Sequence, residues 1–593
     1  MPILNPSELN VVVSVLGGFM ILYGWISVKI KQKWYLGEAL PAMALGIFLG
    51  PMAAKFLEVN KWGSPDPAQI SEITLGITRI VISVQLVIVG YQLPAQYHYR
   101  RWKDLFMCLI PIMTLMWIFT TLCIMATIPN LSFLATLVVA SCVTCTDPIL
   151  SQAVAKGPFA DKYVPRHLRE IISAEAGVND GFGFPFMMLA VYLLRFASGK
   201  TDLAPAEGGR GGHDLLLLAR AAGEEVGRQG GGAGEALKQW FIETWIYYCL
   251  MGAVYGAVVG TGWRYAIKYA LKWRLMRDEF YVLFPAALGL FLAGTSGVLG
   301  TNDLIACAAA GHALNWDGEY LLEIERRHDE VNESIDVLLN FGGFMYIGAI
   351  IPWSDFHDPD GTGITLGRLF GMAFMVFIFR RIPAILMGYK FMPRAVADWR
   401  EALFMGYFGP IGIGAVFYVE HARHVIPKEG EADEELNNLV KAMGPCIYFL
   451  VVFSIIGHGL STPLLALIYS RLGVKPIQDD ATQIRRVSMH QAAPPNSVHE
   501  GDRFVAYNRF SRPASVADDL SLSRSNTLQL LQRPFDAMQQ EYIIASQTPH
   551  PQPSHHIPRP LTRTPPTPAS ELARHLSPDP RKRKGAERHI AAP

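Results

Sequence analysis

The sequence predicts an all-α polytopic membrane protein with about thirteen transmembrane helices and a disordered cytoplasmic tail. Of the 593 residues, 51% are hydrophobic and 17% are charged, whereas soluble domains usually carry about 25% charged residues. Long apolar runs stop near residue 471, and the rest of the chain is polar and rich in Pro, Ser and Arg. We therefore divide the chain into a membrane domain, residues 1–471, and a disordered tail, residues 472–593.

Thirteen segments are long and apolar enough to be membrane helices, although the ninth is short. They are residues 10–29, 36–56, 71–93, 104–128, 132–155, 168–196, 239–262, 279–298, 301–315, 333–353, 364–389, 399–420 and 437–470. Basic residues follow the odd-numbered segments, as at 29–33, 100–103 and 264–277. The positive-inside rule then places the N-terminus outside and the C-terminus in the cytoplasm, which requires an odd number of spans.

Two polar regions are predicted to lie outside the membrane. Residues 198–237 are Gly-rich and should form a flexible exterior loop. In the tail, Ser488 follows two arginines and Ser515 lies three residues after an arginine. These patterns suit a basophilic kinase or a regulatory protein that binds the tail, although such short patterns are also common by chance.

The sequence argues against an enzyme, a cofactor or a nucleic-acid partner. It contains no P-loop, nucleophile elbow or metal-binding motif. All seven cysteines fall in apolar segments, as expected for small buried side chains rather than disulfides. Cys142 and Cys145 form a CxxC without a second pair, so we do not expect a bound metal there.

Segments five and six carry polar groups where a lipid-facing helix could not tolerate them. These are Thr146 and Asp147 in segment five, and Glu175, Asn179 and Asp180 in segment six. An ionisable side chain at membrane depth costs about 2.5–3.5 kcal/mol on insertion scales, so it normally faces protein or a water-filled path. We interpret the stretch as an ion site; the alternative is that these side chains only hold helices together.

Asp180 has the chemistry of a cation and proton carrier. A carboxylate offers charge and oxygen atoms to a hard monovalent cation, and burial favours its protonated form. One carboxyl group can therefore hold H⁺ or Na⁺ but not both, which is sufficient for exchange.

Glu175 lies on a different helical face from Asp180, because the two residues are five apart. We expect Glu175 to pair with a buried cation, either Arg380 or Arg381 in segment eleven. The alternative is that both arginines lie at the cytoplasmic membrane edge.

Two membrane segments contain helix-breaking sequences. Pro148 follows Thr146 and Asp147 in segment five, and segment twelve contains GPIGIG at residues 409–414. Asp147 could cap the half-helix that follows it. Interrupted segments at comparable places in two halves are typical of transporters with inverted repeats. Asp303 opens the ninth segment after Asn302, and we keep two interpretations, a helix N-cap and a secondary cation-attracting site.

These residues together resemble the fungal plasma-membrane Na⁺/H⁺ antiporters of the monovalent cation:proton antiporter superfamily. The motifs are TDP at 146–148, ExxxND at 175–180, FRRIPA at 379–384 and GPIGIGA at 409–415. The resemblance implies the fold of the NhaA- and NhaP-like antiporters, with two crossed discontinuous helices and a homodimer in the plasma membrane. It also implies exchange of H⁺ for Na⁺, Li⁺ or K⁺, with Asp180 as carrier, Asn179 as its neighbour and Thr146 as a cation ligand.

The chain departs from the family pattern at two places. Many members have Ser where this chain has Ala176, so a possible oxygen ligand is missing. Some fungal members have two acidic residues where this chain has Asn302 and Asp303. We also keep a hypothesis from another class, a non-transporting membrane sensor that signals salt or pH through its tail.

Overall fold

The computed structural model of the chain consists of a helical membrane domain and a small β-sheet. The residues it describes are 8–57, 59, 67–148, 150–151, 158–196, 231–326, 330–428, 433–474, 481–485, 497–500 and 503–507. Ser488 and Ser515 lie outside this set, as does most of the predicted tail.

Each of the thirteen predicted segments contains a helix, and we number the helices α1 to α13 accordingly. The first six are α1 Glu8–Val28, α2 Ala39–Leu49, α3 Pro67–Gln92, α4 Trp102–Thr127, α5 Phe133–Ser141 with a further helical stretch from 148, and α6 Arg166–Arg195. The others are α7 Gly232–Lys272, α8 Asp278–Leu299, α9 Asp303–Leu314, α10 Glu330–Ile350, α11 Leu366–Phe391, α12 Trp399–Tyr407 with Ile413–Val425, and α13 Glu434–Leu472.

Among the described residues, eight helices are long and apolar enough to cross a membrane by themselves. Short helices at Tyr97–Arg100, Pro158–Tyr163 and Glu319–Arg326 lie between α3 and α4, α5 and α6, and α9 and α10, respectively. The remaining apolar helices are shorter or interrupted. This architecture agrees with the polytopic helical fold that the sequence predicts.

Helices α5 and α12 are discontinuous, and α11 bends at Arg380 and Arg381. In α5 the helix stops after Ser141 and resumes at Pro148, which has no backbone N–H to continue a helical ladder. In α12 residues 408–412 separate the two halves, which we call α12a and α12b. Both breaks coincide with the Pro- and Gly-containing motifs of the sequence.

Glycines allow the short helix α9 to pack closely against α7. Gly252, Gly256 and Gly260 recur every four residues on one face of α7. A β-carbon at Gly256 would lie 2.1 Å from the Ala306 carbonyl oxygen of α9, and one at Gly260 would lie 2.4 Å from that of Ala310. These approaches hold α9 in the interior, beside α3 and α6.

Two predicted boundaries differ from the structure. Helix α7 begins at Gly232, inside the predicted loop 198–237, because the run from Glu235 to Lys238 consists of good helix formers. In the predicted tail, strands β1 Ala481–Arg485, β2 Ser497–Glu500 and β3 Arg503–Tyr507 form an antiparallel sheet in the order β1-β3-β2. Residues such as Ile484, Phe504 and Val505 favour strands.

Candidate ion-binding site

The breaks in α5 and α12 meet each other, and Asp147 joins them. Its backbone N–H donates to the Pro410 carbonyl oxygen at 2.9 Å. Its carboxylate accepts hydrogen bonds from the N–H of Leu150 at 2.9 Å and of Ile413 at 2.8 Å. These donors lie at the N-termini of the second halves of α5 and α12, where unsatisfied N–H groups carry partial positive charge. Asp147 therefore caps both half-helices.

Arg380 binds carbonyl oxygens in the breaks of the same two helices. Its guanidinium donates to the carbonyl oxygens of Gly409 at 2.9 Å and of Cys145 at 2.8 Å, just beyond the first halves of α12 and α5. Carbonyl groups at a helix C-terminus carry partial negative charge and favour a cation. The arginine is buried. The crossing is thus held by one acidic and one basic side chain: Asp147 binds N–H groups at two helix starts, and Arg380 binds carbonyl oxygens in the two breaks.

Helix α6 passes this crossing with Asn179 and Asp180. The Asn179 side chain accepts from the Thr146 N–H at 3.3 Å and donates to the Thr146 hydroxyl at 2.6 Å. Asp180 has no exposed surface, and neither of its carboxylate oxygens has a hydrogen-bond partner among the described residues. A buried carboxylate without donors is costly. It therefore needs a proton or a cation.

Three glycines of α12 allow the charged side chains to approach the break. A β-carbon at Gly412 would lie 2.1 Å from an Asp147 carboxylate oxygen, and one at Gly414 would lie 2.8 Å from an Asp180 oxygen. At Gly409 it would lie 2.0 Å from the Arg381 side chain. The GPIGIG motif therefore supplies close approach as well as a helix break.

Glu175 forms an ion pair with Arg381 and not with Arg380. The two side chains make parallel hydrogen bonds of 2.7 Å, and Arg381 also donates to the Met405 carbonyl oxygen at 3.1 Å. Arg380 and Arg381 are each 3% exposed, so both are buried inside the protein. Both Glu175 oxygens are engaged by Arg381, whereas the Asp180 carboxyl group has no hydrogen-bond partner among the described residues.

Residues 18–467 match the protein family described as "Sodium/hydrogen exchanger, transmembrane". This match covers most of the chain and includes every residue of the crossing. The chain belongs to the sodium/hydrogen exchanger family.

Relatives of this family member are named as antiporters. It is 36% identical over 466 residues to a probable Na⁺/H⁺ antiporter of Schizosaccharomyces pombe, covering 77% of this chain and 56% of that one. It is 34% identical over 478 residues to a Na⁺/H⁺ antiporter of Saccharomyces cerevisiae, covering 78% and 44%. The chain thus spans about half the length of these two relatives.

The fold matches that of a solved antiporter. The sodium proton antiporter MjNhaP1 of Methanocaldococcus jannaschii superimposes with a TM-score of 0.53 at 14% identity, covering 79% of this chain and 98% of that one. At this low identity the comparison shows the fold alone.

The structure places Asp303 in an ion pair with Arg79. Its carboxylate accepts from Arg79 of α3, which also donates to the Ala293 carbonyl oxygen at 2.7 Å. Asn302 is the N-cap of α9, since its side chain accepts from the Ile305 N–H at 2.9 Å. Arg79 is absent from our sequence-based predictions. Arg79 could have been predicted to have a buried acidic partner, because it is a lone basic residue within an apolar run.

Glu420 of α12b is another buried carboxylate that the sequence analysis did not predict as a site residue. It accepts hydrogen bonds from Ser71 at 2.5 Å and from Tyr448 at 3.0 Å, and it pairs with Arg423 at 3.0 Å. Glu420 and Arg423 are three residues apart near the end of an apolar segment, which is the spacing of a helical ion pair. This cluster is fully satisfied and joins α3, α12b and α13.

Proposed function

We propose that the protein is a secondary-active antiporter that exchanges cytoplasmic Na⁺, Li⁺ or K⁺ for external H⁺ across the plasma membrane. The observation that carries this proposal is the buried Asp180 carboxyl group. It lies at the crossing of two broken helices and has no hydrogen-bond partner among the described residues. Membership of the sodium/hydrogen exchanger family and the names of the relatives support the same activity.

Competition at one carboxyl group supplies the coupling. When Asp180 is protonated, the site is neutral and cannot hold a cation. When Asp180 is ionised, a monovalent cation replaces the proton, with Asn179, Thr146 and Asp147 supplying polar groups next to it. Each occupied form is close to electrically neutral, which lowers the cost of moving the site between the two membrane faces. The bare ionised form is the costly one, so the site changes face only when it is loaded.

Charged side chains stabilise the helix breaks at the crossing, and we expect this to allow the site to move between the two membrane faces. Asp147 binds N–H groups at the starts of two half-helices, and Arg380 binds one carbonyl oxygen in each of the two breaks. Irregular backbone at membrane depth is tolerated where it lines a cavity or is buried in protein. We therefore assign Asp147 and Arg380 to the structural support of the site, together with the ion pair of Glu175 and Arg381.

The proposal also includes orientation and assembly. The basic loops after odd-numbered helices favour an external N-terminus and a cytoplasmic C-terminus. Helices α1 and α7 are the least buried of the eight long apolar helices, with 6% and 22% of their apolar windows buried. Their free faces are available to lipid and to a second copy, which supports a homodimer.

The test is exchange in proteoliposomes. A pH gradient is imposed, Na⁺, Li⁺ or K⁺ is added separately, and the membrane voltage is clamped with an ionophore. We expect Asp180→Asn to abolish collapse of the gradient while the purified protein keeps its thermal stability, because the substitution removes the titrating charge and little volume. Asn10→Asp on the sparsely packed α1 is the matched control and should leave exchange unchanged.

The outcomes separate the alternatives. If the Asp180→Asn protein collapses the gradient at the wild-type rate, Asp180 is not the carrier. Collapse that is insensitive to voltage indicates one proton per cation, and voltage-sensitive collapse indicates more than one. A folded wild-type protein that collapses no gradient favours the sensor hypothesis.

A further inference from the structure

Cys145 lies in the break of α5 and faces the Asp180 carboxyl group. The side chain is 3% exposed. A β-carbon built on Gly414 would lie 2.8 Å from an Asp180 oxygen and 3.2 Å from the Cys145 sulfur. The backbone of α12b therefore approaches the carboxyl group and the thiol at the same point.

The sulfur is not committed to another strong interaction. Its thiol donates to the Cys142 carbonyl oxygen over 4.0 Å, which is at the outer limit for a thiol hydrogen bond. Thr146 and Asn179 are bonded to each other. One turn before Asp180 on α6, Ala176 is buried and has no side-chain oxygen. Cys145 is thus a polarisable side chain beside the unpartnered carboxylate.

We propose that Cys145 is a specificity-determining residue whose sulfur contacts the cation bound at Asp180. This inference rests on the proposed function. Hard cations such as Li⁺ and Na⁺ prefer oxygen ligands, whereas sulfur prefers softer, more polarisable ions. The pair of one carboxylate and one thiol therefore shifts the preference of the site away from Li⁺ and Na⁺ and towards larger, more polarisable monovalent cations. Thallium(I), which is large and soft, is the probe for this class.

The test compares Cys145→Ser, which replaces sulfur by oxygen, with Cys145→Ala, which removes the ligand. Proton flux is measured in proteoliposomes against concentrations of Na⁺, Li⁺ and Tl⁺, all as nitrates because thallium(I) chloride is sparingly soluble. For Cys145→Ser we expect the half-saturating concentration to fall for Na⁺ and Li⁺ and to rise for Tl⁺, changing their ratio by about tenfold. Cys145→Ala should raise the value for Tl⁺ without lowering it for Na⁺.

Cys142→Ser is the matched control, because Cys142 lies in the same break but its thiol faces the Val138 carbonyl oxygen of its own helix at 3.5 Å. The cation preference of this variant should equal that of wild type. Equal preferences in wild type and Cys145→Ser overturn the inference, as does a Cys145→Ala protein that behaves like Cys145→Ser, since a volume effect then explains both. If Cys145→Ser exchanges cations with the same preference as wild type, only this inference is overturned. If the wild-type protein shows no exchange, the proposed function is overturned as well.

A second measurement uses the wild-type chain and does not depend on how the variants fold. Purified protein is treated with methylmercury, and the modified cysteine peptides are quantified by mass spectrometry. We expect Tl⁺, and more weakly Na⁺, to slow modification of Cys145 and to leave that of Cys123 on α4 unchanged. A Cys145 modification rate that is unaffected by saturating Tl⁺ overturns the inference.

Discussion

At the scale of single residues, two carboxylates one and a half turns apart on α6 have different surroundings. Glu175 has both oxygens bonded to Arg381, whereas Asp180 has no partner among the described residues. A buried ion pair with good geometry is locked in place, because separating it leaves two charges in a poorly polarisable environment. Glu175 is therefore suited to hold α6 against α11, and Asp180 is suited to exchange its counter-ion.

We predict that Glu175→Gln destabilises the protein by on the order of 3–5 kcal/mol, because it leaves the Arg381 charge buried without compensation. Thermal denaturation of the purified protein, followed by size-exclusion fluorescence, measures the effect. Glu235→Gln is the control. Its pair with Lys238 is 3.2 Å long and largely exposed, so its loss should cost about 0–1 kcal/mol. Wild-type stability of Glu175→Gln would count against the structural role of the pair.

At the scale of secondary-structure elements, the discontinuous helices depend on close approach as much as on helix breaking. The Asp147 carboxylate is held by backbone donors from both α5 and α12b. It cannot move aside for a larger residue at position 412 without giving up these bonds. The glycine at this position is therefore required by a long-range contact, which no local propensity expresses.

We predict that Gly412→Ala disrupts the crossing, because its β-carbon would lie 2.1 Å from an Asp147 oxygen. The expected results are loss of cation-driven proton flux and a lower yield of folded protein. Gly367→Ala on α11 is the control. A β-carbon there has no heavy atom within 4 Å, so alanine should be neutral or stabilise the helix by up to about 1 kcal/mol. A Gly412→Ala protein with full flux and stability is incompatible with the described geometry.

At the scale of the whole molecule, the residues of the crossing lie before the end of α13 at Leu472. The ion pair between Glu175 and Arg381 and the one between Arg79 and Asp303 also lie before that point. None of their hydrogen bonds comes from the residues described beyond 480. The family match ends at residue 467. We therefore expect the site to form without the tail.

We predict that a protein truncated after Val474 keeps cation-driven proton flux, with any change confined to its regulation. Flux in proteoliposomes, normalised to the amount of folded protein, measures this. The same truncation combined with Asp180→Asn is the control and should show no flux. Complete loss of function on truncation, in a protein that remains folded, would favour the sensor hypothesis over transport.

The sequence by itself determined the thirteen apolar segments that contain helices. Hydropathy and length are properties of a continuous stretch of chain, so they place thirteen helices without reference to neighbours. Proline and glycine change the backbone conformation at their own positions, so the breaks in α5 and α12 could also be predicted from the sequence. Charges in apolar runs singled out Asp180 and Glu175 because the cost of burying them is local.

Only the tertiary structure decided which of these groups meet. Arg380 and Arg381 are adjacent in sequence, yet one binds helix ends and the other binds Glu175. Asp303 pairs with Arg79, and Glu420 meets Ser71 and Tyr448, across more than twenty residues of chain in each case. Helical periodicity says which residues share a face, but not which helix packs against that face. The partner of each buried charge, and hence which carboxylate has no hydrogen-bond partner among the described residues, follows from packing between distant segments.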